Sequence, residues 1–224
     1  MAVILDNFTE SDVSSSSGGT EPVTFVNNGS IVLVAVFLDS LGESVTDVTY
    51  AGDTLTAFGT FTVSAGKLWV GYLTSPQTGS HSVDVFFTGG VTVFRVGIVS
   101  FNNVDQITPI GGSNSATWED SIVTPRSVTV TVSGDSGTVV DFFYVTRSDG
   151  TGNATSPQTG VMSNTGTWGG GAGHLAGISY KAHTGTNVTM QWENLGYQSS
   201  AADQMIFAVE LIAAPPLIPQ IIFI

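Results

Sequence analysis

The chain has 224 residues, enough for one large domain or two small ones and for a buried core without covalent staples. It has no cysteine, which excludes disulfides and thiolate metal sites; 5 Lys and Arg against 18 Asp and Glu give a net charge of −13, which argues against nucleic-acid and anionic-lipid partners. Charged residues are only 10% of the chain, whereas Ser and Thr together make up about a quarter and glycine contributes 27 residues, a β-protein composition and not a disordered one.

In chain order, the first basic residue is Lys67 and the first apolar run is only Ala2–Leu5, so no secretory leader is expected. Residues 1–22, with four serines at Ser14–Ser17, read as an extended or flexible N-terminal arm that enters a strand near Val23–Val26. Ile31–Leu38 is continuously apolar, the pattern of a strand covered on both faces. Thr46–Tyr50 and Leu55–Thr62 flank a tight turn at Ala51-Gly52-Asp53. Lys67–Leu73 follows, then Ser82–Thr88 and Val91–Phe101, joined through Gly89-Gly90, a strong hairpin signal.

Gly111–Thr124 is polar and is a candidate boundary between two domains. A single sandwich over 23–212 is preferred, because neither half alone closes an obvious core. Ser127–Ser133 alternates, with Val128, Val130 and Val132 inward. The later strands are Thr138–Thr146, His174–His183, Asn187–Glu193 and Gln204–Ile212. Helical spacing is nearly absent. About ten to twelve short strands without crossover helices imply antiparallel sheets stacked as a two-sheet sandwich. The hexapeptide TSPQTG occurs at 74–79 and 155–160 without aligned flanks and is read as recurrent loop chemistry, not as duplication.

Residues 213–224 (AAPPLIPQIIFI) form an uncharged tail with three prolines. It is too short and too proline-rich for a membrane helix. Its six large apolar side chains, Leu217, Ile218, Ile221, Ile222, Phe223 and Ile224, either pack on their own domain or dock on a neighbouring subunit.

Three segments carry a resemblance: VTDVTYAGDTLT (45–56), LWVGYLTSPQTGSHSVDV (68–85) and VSFNNVDQITPI (99–110). They resemble a recurrent all-β module of bacteriophage virion proteins and bacterial surface or secreted proteins, over roughly residues 24–213. Ala51 and Asn103 stand where that module usually has glycine. The resemblance implies a jelly-roll-like sandwich in a structural or adhesive setting, and it carries over no catalytic residue.

Chemical sites are sparse. His81, His174 and His183 have no metal-ligand spacing, although a strand could join the last two. There is no nucleophile elbow, and Glu119-Asp120, adjacent in sequence, point to opposite faces if extended. No catalytic residue, metal site or cofactor is therefore expected. Arg95, Asp141 and Glu210 interrupt apolar strands, and Arg95 is expected to pair with Asp141 or Glu210, or to lie on a face covered by a neighbouring chain. Trp69 and Trp192 are expected in the core. Trp118 and Trp168, in loops, are the candidates for stacking on a glycan.

These observations point to a non-enzymatic structural protein of a virus particle, a capsid decoration, cement or tail-associated subunit of a phage. Its expected partners are itself and other virion proteins, with no nucleic acid and no membrane. It would be assembled in the host cytoplasm. The alternative is a carbohydrate-binding or host-adhesion module.

Overall fold

The computed structural model describes residues 1–16, 20–39, 41–63, 66–89, 91–119, 125–146, 151–154, 158–168, 172–195 and 203–216. They form strands only, as the composition requires. In chain order these are β1 (Ile4–Ser16), β2 (Thr20–Asn27), β3 (Ile31–Leu38), β4 (Ser44–Tyr50), β5 (Asp53–Thr54), β6 (Thr56–Val63), β7 (Gly66–Thr74), β8 (Gly79–Thr88), β9 (Val91–Asn102), β10 (Ile110–Trp118), β11 (Arg126–Val130), β12 (Gly137–Val145), β13 (Thr151–Ala154), β14 (Thr159–Trp168), β15 (Ala172–His183), β16 (Val188–Leu195) and β17 (Gln204–Ile212).

Four antiparallel sheets result: an inner sheet β1-β9-β3-β7-β6 with an outer sheet β2-β8-β4-β5, and an inner sheet β10-β17-β12-β15-β14 with an outer sheet β11-β16-β13. The second pair repeats the first. Substituting β10 to β17 in turn for β1, β2, β3, β4, β6, β7, β8 and β9 converts one strand order into the other, with β5 extra. Each half is thus a jelly-roll-like sandwich in which its first and last strands lie side by side.

The all-β, antiparallel sandwich expected from the sequence is present, but as two sandwiches, not one. The physical reason lies in the apolar strands. β3, β12 and all but the last residue of β17 are buried throughout, so each inner sheet has two apolar faces. One face packs on its own outer sheet, through Val32, Val34, Val36 and Val48 in the first half and Val139, Phe143, Met190 and Trp192 in the second. The other faces meet each other in a central core containing Leu33, Phe37, Phe101, Phe142, Ile178, Phe207 and Val209.

The halves meet with approximate twofold correspondence. β9 and β17 hold equivalent places, and the residues just beyond them bridge, Val104 with Ala213. Around that bridge Asp105 N donates to Ile212 O at 2.9 Å and Ala214 N to Asn103 O at 2.8 Å.

Two segments differ from expectation. The N-terminal arm is strand: β1 pairs along β9 from Ile4↔Asn102 to Ser16↔Val91, with a bulge at Asp6 whose carboxylate accepts Ser100 Oγ (2.8 Å) and Asn28 N (2.9 Å). The polar stretch 111–118 is not a linker but most of β10, the edge strand on β17. Ala51 (φ 53°) and Asn103 (φ 62°), where the resemblance leads to an expectation of glycine, both occupy the left-handed region that glycine enters without strain.

Candidate functional site

Among the described residues, five of the buried polar side chains, Asp141, His174, Ser179, His183 and Glu210, fall into three groups, each spanning strands that hydrogen bonding along a single sheet does not join. The first is around Asp141 of β12. Directly opposite it in the register is Ser179 of β15, whose N–H (3.1 Å) and Oγ (2.5 Å) both donate to Asp141 Oδ1. Trp192 Nε1, from the outer sheet, donates to Oδ2 at 2.8 Å. Gln158 Nε2 donates to Ser179 Oγ at 2.6 Å and makes a long contact with Asp141 Oδ2 at 3.5 Å, while Gln158 Oε1 accepts Gln191 N. Burial drives the Asp141 pKa up to about 7, against the lowering effect of the Ser179 and Trp192 hydrogen bonds.

The second group holds Glu210 of β17. Its carboxylate accepts Gly112 N (2.9 Å), Ser133 N (2.7 Å), Ser133 Oγ (3.0 Å) and Gly134 N (2.9 Å), and His183 Nε2 lies 3.2 Å away. Burial raises the Glu210 pKa, but the three amides and the hydroxyl outweigh it, and the net is below the usual range. His183, whose Nδ1 accepts Gly185 N, is lowered by burial against the opposing charge of Glu210. Glycine is required at Gly111, where an added Cβ would lie 1.9 Å from Glu210 Oε2.

The third group fastens one half to the other. Tyr144 of β12 donates to Leu38 O of β3 at 3.1 Å and stacks on His174, with Nδ1 3.2 Å from its hydroxyl. His174 Nε2 is 2.9 Å from Asp39 Oδ2, in the turn after β3. An added Cβ at Gly66 would lie 2.8 Å from both Leu38 O and a Tyr144 ring carbon, so the absence of a side chain there lets the phenol cross. Burial, and then the charge of Asp39, push the Tyr144 hydroxyl well above its ordinary pKa.

These positions correct the expected ion pair. Arg95 of β9 lies opposite Phe37 and on the face of Gly97, which abuts Ile178 across the central core. Asp141 and Glu210 alternate with Phe142 and Val209, which face that core, and so point the other way, into the second outer core. Strand parity keeps them from Arg95, and both carboxylates take other donors. The two histidines that β15 joins also lie apart, at its opposite ends, roughly 30 Å away from each other at the rise of an extended chain.

Trp69 and Trp192 are core residues, 5% and 0% exposed. Trp118 ends β10, half-buried against the second outer core, with the Arg126 guanidinium 4.8 Å above its ring. Trp168 ends β14, and its side chain lies outside the described residues. So do Leu217, Ile218, Ile221, Ile222, Phe223 and Ile224.

The chain leaves the described body beside its own beginning. Met1 N donates to Ala214 O (3.2 Å), Asn103 Nδ2 donates to Ala2 O (3.0 Å), and Met1, Asp105, Asp135, Ile212, Pro215 and Pro216 line a groove of about 280 Å³. Ile107, 92% exposed, tips the neighbouring connection, which Asp105 Oδ1 stiffens by accepting Ile107 N and Thr108 N.

Sequence reasoning missed Asp39, Tyr144, Gln158 and Ser179. The one available signal was the repeated TSPQTG, whose second copy contains Gln158. Among the described residues no cluster of three or more His, Cys, Asp or Glu has metal-holding geometry, and no helix is long and apolar enough to cross a membrane. Comparison with protein-family models, curated proteins and solved structures finds no match in any of the three.

Proposed function

We propose that this chain is a non-enzymatic structural subunit of a virus particle, a capsid decoration, cement or tail-associated protein, that holds to its neighbours through the apolar segment beyond Pro216. The observation that carries the reading is how the buried carboxylates and imidazoles are used. Asp141, Glu210 and the Asp39–His174 pair are each bonded across strands, where they fasten sheets together. The body so built is two rigid sandwiches locked face to face. The N-terminal segment is occupied as β1 in its own sheet, so exchange contacts fall to the tail alone.

Buried on a neighbour, each large apolar side chain of the tail contributes roughly 1.5–3 kcal/mol, against about 1–2 kcal/mol per residue for ordering the backbone. The net per subunit is modest and grows through repetition in a symmetric assembly. The test is light scattering after size exclusion, on the full chain and on a version ending at Pro216, which keeps the Ala214 contacts. Defined oligomers for the full chain and a folded monomer for the shortened one are expected. Monomers in both would overturn the reading.

A further inference from the structure

We propose that the end of the body where the two termini meet receives the C-terminal tail of a second copy of this chain, with Ile107 as the anchor of the docking surface. The inference rests on the reading that the tail holds the subunit to its neighbours, and it names the seat: Ile107 and the groove lined by Met1, Ile212, Pro215 and Pro216.

The surface supports this in three ways. Among the described residues the exposed large apolar side chains are Met1, Ile4, Phe8, Val26, Leu41 and Ile107, and all but Leu41 lie along one border. Met1 precedes β1, Ile4 and Phe8 are on it, and Val26 is on β2 beside it, where Asn7 Nδ2 donates to Val26 O at 2.7 Å. Ile107 tips the turn that Asn103 ties to Ala2. Exposed apolar residues scattered singly are ordinary, whereas a grouping beside a groove marks a contact surface. Second, Ile107 is held out on a braced turn. Gln106 Oε1 accepts Ser75 N (3.1 Å) and Ser75 Oγ (2.7 Å), Gln106 Nε2 donates to Val104 O (2.8 Å), and Asp105 N donates to Ile212 O (2.9 Å). A side chain presented this way loses little freedom on binding. Third, the sequence beyond Pro216 favours a partner copy over the groove that the segment leaves. Pro215 and Pro216 are exposed. A residue before proline favours extended backbone, and Ala214, Pro215 and Ile218 each precede one, which opposes a reversal onto the same groove. Residues 217–224 can span at most about 28 Å, enough to reach an adjacent copy. Each copy has a net charge of −13 and Asp105 and Asp135 line its groove, so an uncharged segment can enter it without repulsion.

The chain has no cysteine, so disulfide trapping between introduced cysteines reads the contact directly. A chain ending at Pro216 and carrying Ile107→Cys is mixed with full chains carrying Ile218→Cys, Ile221→Cys or Phe223→Cys in turn, and oxidised. A disulfide-linked pair of unequal chains is expected with at least one of the three, and with none when Leu41→Cys replaces Ile107→Cys. In parallel, light scattering on the full chain with Ile107→Asp should show association weakened by about tenfold or more, at an unchanged melting temperature because the side chain stands in solvent. No cross-link at any of the three positions, or association unaltered by Ile107→Asp, overturns the inference. If the full chain then still forms oligomers that removal of the tail abolishes, the tail docks at another seat and the structural-subunit reading stands. Monomers for the unaltered full chain overturn both.

Discussion

Ala51 sits at φ 53° in the turn between β4 and β5, where an L side chain is strained and glycine is not. Ala51→Gly is expected to raise stability by about 1 kcal/mol, read as a higher urea midpoint at unchanged slope. The titrating residues set opposite limits. Glu210 is depressed, so its contribution is present above the ordinary carboxylate range and is lost as pH falls through its folded pKa. His183, also depressed, adds to that loss on the acid side, because the unfolded chain takes up its proton first. Asp141 runs the other way. Its pKa is raised, so its contribution is present at low pH and is lost as pH rises from about 4 through about 7, on the order of 4 kcal/mol in all. The melting temperature of the intact chain should therefore decline from about pH 5 to 8, and Asp141→Asn should level that decline. An unchanged slope in the variant would place the titration elsewhere.

At the scale of elements, the strands legible in the sequence were β2, β3, β4, β6, β7, β8, β9, β11, β12, β15, β16 and β17, the clearest being those with apolar alternation or a continuous apolar run, such as β3, β11 and β12. Those missed were β1, β5, β10, β13 and β14, all at sheet edges. An edge strand pairs on one side only and can be largely polar, as IGGSNSATW is in β10, so periodicity does not mark it. Glycine spacing held a second signal that only packing decodes. Each half lays an indole over a glycine of corresponding strands, Trp69 over Gly71 in β7 and Trp192 over Gly177 in β15. An added Cβ at Gly177 would fall 2.3 Å from the Trp192 ring. Gly177→Ala should cost about 2 kcal/mol by displacing that ring, with loss of the Trp192–Asp141 hydrogen bond visible in the indole resonance.

For the whole molecule, the question is how firmly two sandwiches become one body. The central core ties them through a ladder of rings, with Phe207 of β17 against Phe58 and Phe61 of β6 in the other half and Phe142 beside it. Phe207→Ala should cost about 3–5 kcal/mol. Because both halves bury area in that core, a single cooperative unfolding transition should persist at lower temperature. Two resolved transitions in calorimetry of the unaltered chain would contradict this. The polar clasp of Asp39, His174 and Tyr144 fastens the ends of β3 and β12, and the Val104–Ala213 bridge fastens the ends of β9 and β17.

Composition and local pattern by themselves determined that this chain is all-β and antiparallel, that Ile31–Leu38 is covered on both faces and that Trp69 and Trp192 are buried. Those properties follow from the preferences of single residues and from periods of two along a strand. Only the tertiary structure decided that there are two sandwiches, that the N-terminal segment is a paired strand, and which donors receive Asp141 and Glu210. The duplication is invisible because topology repeats while side chains do not: the two copies of TSPQTG fall at different places, one between β7 and β8 and the other between β13 and β14. The charge partners were decided by which face of a sheet each residue reaches, and strand parity across two stacked sheets is a long-range property that no segment of sequence contains.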